Sequence, residues 1–113
     1  MIKAGNKMSA KIQNILRELK KELLSIYGEN VDSIILYGSR ARGDARNDSD
    51  IDILVVLKND FIYSEMLKLS SALTSSLSLE NDVVISRAFV TKEQYEKLQV
   101  PFLMNVRREG VLV

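Results

Sequence analysis

Two apolar runs, residues 34–37 (Ile-Ile-Leu-Tyr) and Ile51–Leu57 (Ile-Asp-Ile-Leu-Val-Val-Leu), enclose a loop too polar for any core to accept. Both runs are short, rich in β-branched residues and bounded by Gly or Asp, which predicts strands rather than helix. The second stays apolar at successive positions after its acidic start, the pattern of a central strand covered on both faces. A fold for this chain must bury that strand between two layers and still bring its acidic start to water. Side chains alternate along a strand, so Asp50 and Asp52 point to one face, about 7 Å apart at ~3.4 Å per residue. Two carboxylates so placed repel each other and lose hydration. A divalent cation held by oxygen ligands offsets both costs.

The remaining elements supply the layers. Ile12, Ile15, Leu16, Leu19, Leu23 and Ile26 fall at helical spacing, with Ser9 placed to cap the start and Gly28 to end it. The spacing predicts a helix over 9–27, with Glu18 and Glu22 among lysines and arginines on its solvated face. Ser39–Arg42 predicts a brief helical turn released by Gly43, and Asp44 and Asp48 read as loop and cap residues of the polar segment 43–49. Ile62, Met66, Leu69, Leu73 and Leu77 predict a second amphipathic helix over 63–79. Its serines (Ser70, Ser71, Ser75, Ser76, Ser78) read as surface filler, because no base lies within helical reach of any of them.

Residues 82–86 read as a third strand that opens with an acid, as the second does. Thr91 caps a predicted helix over 92–99, and Pro101 suits the first turn of another that ends near Gly110. The apolar residues 111–113 predict an edge strand or a partner contact. The fold class expected is α/β (α+β), one domain over 1–113 with a small mixed β-sheet flanked by helices.

Composition narrows the chemistry. The 113 residues suffice for one compact core but not two. Cysteine and histidine are both absent, which removes disulfides, thiol nucleophiles, imidazole bases and thiolate or imidazole metal sites. Carboxylates, hydroxyls, Lys, Arg and backbone amides remain. Sixteen basic residues against 15 acidic ones argue against direct nucleic-acid binding. No apolar run approaches the roughly 20 residues of a membrane span. Residues 1–11 are too polar for a signal peptide, so a cytoplasmic protein is expected.

Taken singly, Gly38-Ser39 is a turn signal and Asp50-Ile51-Asp52 a solvated loop end. A calcium loop starting at Asp48 fails, because Ile53 stands where the obligatory Gly belongs and Asn59 where the bidentate Glu does. Together, as Gly-Ser-x10-Asp-x-Asp between two buried strands, they form a much rarer combination. This pattern resembles the signature of the DNA polymerase β nucleotidyltransferase superfamily, and the chain is similar in length and order to its smallest members, the minimal nucleotidyltransferases (MNT). The likeness is closest over Tyr-Gly-Ser-Arg-Ala-Arg-Gly-Asp-Ala-Arg-Asn-Asp-Ser-Asp-Ile-Asp, residues 37–52, and weaker over 82–86 and 105–110.

The resemblance implies a polymerase β-like nucleotidyltransferase fold and an attack by a hydroxyl on the α-phosphate of a nucleoside triphosphate. Asp50 and Asp52 would bridge two Mg²⁺ ions, which in such enzymes stand about 3.5–4 Å apart. Gly38 would admit the triphosphate to the backbone, and Ser39 would add a hydroxyl at the start of a turn whose amides face the phosphates. Arg40 or Arg42 would offset phosphate charge, or form surface ion pairs. Superfamily enzymes carry a third carboxylate on a neighbouring strand, and Asp82 matches it by position, or else is an Asn-Asp turn.

MNT proteins of this size resemble antitoxins paired with HEPN-domain toxins, which they neutralise by moving AMP from ATP to a tyrosine. The expected partners are accordingly ATP and a HEPN toxin, as a hetero-oligomer. A free-standing enzyme acting on a small hydroxyl compound, and an antitoxin that works by binding alone, stay open beside this reading.

Overall fold

A computed structural model describes residues 8–113; most of the polar stretch 1–11 lies outside the described residues. α1 (Ala10–Tyr27) is capped by Ser9, whose Oγ accepts the N–H of Ile12, and ends at Gly28. After one 3₁₀ turn, Gly28–Asn30, come β1 (Val31–Tyr37), α2 (Ser39–Arg42), β2 (Ile51–Leu57) and α3 (Tyr63–Asn81). β3 (Ile85–Thr91), α4 (Lys92–Lys97), α5 (Pro101–Glu109) and β4 (Val111–Leu112) complete the order. The strands form one sheet in the order β3-β2-β1-β4, parallel between β2 and β3 and antiparallel elsewhere. The expected mixed sheet flanked by helices is the observed architecture.

Three layers follow from the alternation of side chains. Ile53, Val55 and Leu57 of β2 pack with Ile12, Leu16 and Leu19 of α1 on one face of the sheet. Leu54 and Val56 pack with Leu103 and Val106 of α5 on the other. All five of these β2 residues are 0% exposed, as a strand apolar on both faces requires. β4 pairs with β1 at the edge, which makes the terminal apolar residues a strand.

Three readings are corrected. α3 presents the expected stripe only in part: Leu77 is buried and Met66 and Leu73 pack on the core, but Ile62 and Leu69 are exposed, and Ser70 and Thr74 face inward as well. The cause is Arg87 of β3, which reaches under α3 to donate to Ser70 Oγ at 2.6 Å and to the Leu67 carbonyl at 2.6 Å. Ser70, read as surface filler, is thus a buried acceptor. The third strand begins at Ile85 and not at residue 82, because α3 runs on to Asn81 and takes Asp82 as its C-cap. The helix after Thr91 stops at Lys97, where Leu98 turns extended ahead of Pro101.

Candidate active site

β1 ends at Tyr37, and Gly38 then turns the chain with φ +75°, a backbone conformation that L side chains rarely adopt. A Cβ here would also overlap Oδ2 of Asp52 and stand 3.3 Å from its Cγ. Glycine is needed at this position for two separate reasons. The next residues wind into α2, where the Gly38 carbonyl accepts the N–H groups of Ala41 and Arg42, each at 3.1 Å. The amides of Ser39 and Arg40 precede these bonds and have no acceptor within the turn. Gly43 ends it at φ +87°.

Asp50 is exposed, and Asp52 is partly buried as the second residue of β2. Alternation sets Asp52 on the α5 face of the sheet with Leu54 and Val56. Burial pushes its carboxyl above the ordinary range, the charge of Asp50 adds to the rise, and the Arg42 guanidinium pulls the other way. The antiparallel register puts Tyr37 directly across from Asp52. Burial, and then the Asp52 charge, raise the Tyr37 phenol in turn. Its ring meets that of Phe102 edge-on, with centroids 5.3 Å apart. Arg42 bridges Asp44 at 3.2 Å and Glu109 at 3.4 Å, tying α2 to the end of α5.

Arg40 is engaged by its own loop. Its Nε and Nη2 donate to the Ser49 carbonyl at 3.1 and 2.7 Å, and Nη2 donates to the Asn47 carbonyl at 3.3 Å. Asp82 holds a left-handed conformation at φ 51°, and its N–H caps α3 through the Ser78 carbonyl. The parallel register sets Ser86, and not an acid, beside Asp52. Among the described residues no three His, Cys, Asp or Glu side chains gather into a metal-binding group.

The site is therefore a pair of carboxylates at the mouth of a buried strand, one of them, Asp52, seated directly against the Gly38 backbone. Two carboxylates whose remaining partners are water and phosphate oxygens are the donor set Mg²⁺ favours, so Asp50 and Asp52 fit that ion. Tyr37 and Glu109 belong to the same neighbourhood, and spacing could not have found them. Glu109 lies 67 residues from Arg42 in the chain, and the facing of Tyr37 and Asp52 is fixed by strand register. Among the described residues no helix is long and apolar enough to cross a membrane.

The chain is similar to known proteins. The model of the family described as "Polymerase beta, Nucleotidyltransferase" matches residues 10–109. A Methanocaldococcus jannaschii protein provisionally named a protein adenylyltransferase is 33% identical over 102 residues, which is 90% of this chain and 98% of that one. The protein adenylyltransferase MntA of Thermococcus cleftensis is 38% identical over 74 residues, 66% of this chain and 73% of its own. Among solved structures, a chain from a toxin–antitoxin crystal structure with AMP-PNP shares the fold. Its TM-score is 0.57 at 23% identity, over 88% of this chain and 71% of that one.

Proposed function

The chain belongs to the polymerase β nucleotidyltransferase family, and on that premise we propose that it moves AMP from ATP to a tyrosine hydroxyl of a HEPN-type partner toxin, as the antitoxin of the pair. The observation that carries this reading is the Asp52 carboxylate seated against Gly38, with Asp50 two residues away at the same strand mouth. Two relatives named for protein adenylyltransfer support AMP as the transferred group and a protein as the acceptor. The neighbour crystallised as a toxin–antitoxin with AMP-PNP supports a toxin as that protein and ATP as the donor.

In the reaction the acceptor's phenolic oxygen bonds to the α-phosphorus, the α–β bridging bond breaks and pyrophosphate leaves. The phenolic proton passes to solvent water at the open mouth of β2, because the Asp50 and Asp52 carboxylates are taken up as cation ligands. Asp50 and Asp52 would hold Mg²⁺, which when bound supplies positive charge to the phosphate oxygens. Gly38 lets the backbone approach the triphosphate, and the amides of Ser39 and Arg40, which have no acceptor within the turn, are donors beside it. The open mouth of β2 has little wall of its own, so the partner's surface completes the acceptor side.

The test is the intact mass of the protein encoded beside this one after incubation with the chain, ATP and Mg²⁺. A gain of one or more AMP units, lost with Asp50→Asn, supports the reading; no gain overturns it. One observation favours a second reading, neutralisation by binding alone: the residue beside Asp52 on β3 is Ser86 and not an acid. That reading predicts that Asp50→Asn and Asp52→Asn still protect cells from the toxin at full strength.

A further inference from the structure

We propose that Arg40 is a positioning residue that fixes Asp50 by clamping the loop behind it, and that its charge is not spent on the nucleotide. The inference deepens the nucleotidyl-transfer reading and rests on it for its kinetic consequence. Two peptide planes meet at the Asp50 Cα. The carbonyl of the first, Ser49 C=O, accepts both Nε and Nη2 of Arg40, at 3.1 and 2.7 Å. The N–H of the second, that of Ile51, donates to the Val84 carbonyl at 2.9 Å, where β2 begins to pair with β3. With both planes held, the φ and ψ of Asp50 have little freedom, and its Cα–Cβ bond has a set direction relative to Asp52.

The rest of the loop leans on the same cation. Nη2 of Arg40 also reaches the Asn47 carbonyl at 3.3 Å. Both carbonyls belong to a turn over 46–49, in which Arg46 N–H donates to Ser49 Oγ at 2.8 Å and Ser49 N–H donates to the Arg46 carbonyl at 3.1 Å. No hydrogen bond from a second side chain to the carbonyls of Asn47 or Ser49 is found among the described residues. Arginine suits the role because its planar fork meets one carbonyl with two parallel N–H groups, which a lysine ammonium cannot do. Arg40 starts on α2, directly after Gly38 and Ser39, so one short segment sets both the phosphate side and the carboxylate side of the site.

Three readouts on Arg40→Gln and Arg40→Lys test this, after thermal melting shows which variants fold. The first is the rate of trypsin cleavage after Arg46 in the isolated protein. The second is Mn²⁺ binding, by titration, as the probe for the carboxylate pair. The third is ATP binding in the presence of EDTA. A clamp predicts that both variants are cut at least about fivefold faster, bind Mn²⁺ at least about fivefold more weakly, and keep ATP affinity within about twofold. In the transfer assay kcat falls and the KM for ATP holds.

Unchanged cleavage and Mn²⁺ affinity in the variants overturn the proposal. So does a loss of ATP binding in Arg40→Gln that Arg40→Lys restores, because that is the signature of charge on a phosphate. If Arg40→Gln does not fold, Arg40→Lys decides alone. If the wild-type protein binds neither Mn²⁺ nor ATP, the transfer reading fails, and the cleavage rates still decide the clamp.

Discussion

Oδ2 of Asp52 occupies the space that a side chain on residue 38 would need, so the glycine and the acid are a matched pair rather than two separate motif letters. Gly38→Ala meets both a positive φ and this overlap, and costs about 2 kcal/mol or more in chemical denaturation. Adding Asp52→Ala relieves the overlap but not the backbone strain, so the double variant recovers about 1 kcal/mol relative to the sum of the single changes. Additive losses would show that the two residues do not share space.

Asp52→Asn separates stability from chemistry. Its carboxyl is raised in the folded state by burial first and the Asp50 charge second, so the stability it contributes is complete at acid pH. That contribution is lost as pH rises through the folded-state value. At pH 7 without divalent cations the variant melts about 1–4 °C higher than wild type, and the advantage disappears near pH 3. Mg²⁺ raises the Tm of wild type but not of the variant, which no longer transfers AMP. A variant that melts lower at pH 7 would mean the carboxylate is a structural cap.

Tyr37 reports on the same charge from across the strand pair. Its phenol ionises above an ordinary tyrosine, chiefly through burial, with Asp52 second. In an ultraviolet titration the Tyr37 component, taken as the difference from Tyr37→Phe, moves down in Asp52→Asn but stays above the ordinary value. Folding stability held by the neutral phenol declines as pH rises toward that ionisation.

Asp82 caps a helix in the left-handed conformation, which asparagine also tolerates. Asp82→Asn therefore folds normally and keeps transfer within about threefold of wild type. A loss of about a hundredfold in kcat would put its carboxylate in the reaction after all.

Thr91 and Gln94 close a reciprocal capping box where β3 passes into α4, at the opposite end of the sheet from Asp52. Thr91→Ala costs about 1 kcal/mol and lowers the denaturation midpoint with an unchanged slope. ATP and Mn²⁺ affinities at 25 °C stay as in wild type, which makes the variant a control for stability lost without function.

Much of this arrangement was legible in the chain because its signals are local. The bounds of α2 and β2 follow from Gly38, Gly43 and the apolar run that continues past Asp52 to Leu57, and Ser9 marks where α1 starts. Asp82 misled for an equally local reason: an acid ahead of a β-branched run looks the same whether the helix before it has ended or not. What remained hidden depends on distant partners. Ser70 reads as filler until Arg87, 17 residues on, arrives beneath it. Arg40 reads as a phosphate partner or a surface ion-pair residue, and neither reading shows the loop carbonyls that meet its guanidinium.

The strand that carries Asp52 is also the most deeply covered one, and this would shape any saturation mutagenesis scored by survival. Substitutions at residues 53–57 would silence the protein by removing it from the cell, since a cavity or a buried charge there leaves too little folded protein to escape degradation. Changes at Asp50 and Asp52 would silence it at normal abundance. Within eight consecutive codons, loss of phenotype would have two unrelated origins, and only an immunoblot run beside the survival score would tell a missing protein from an inert one.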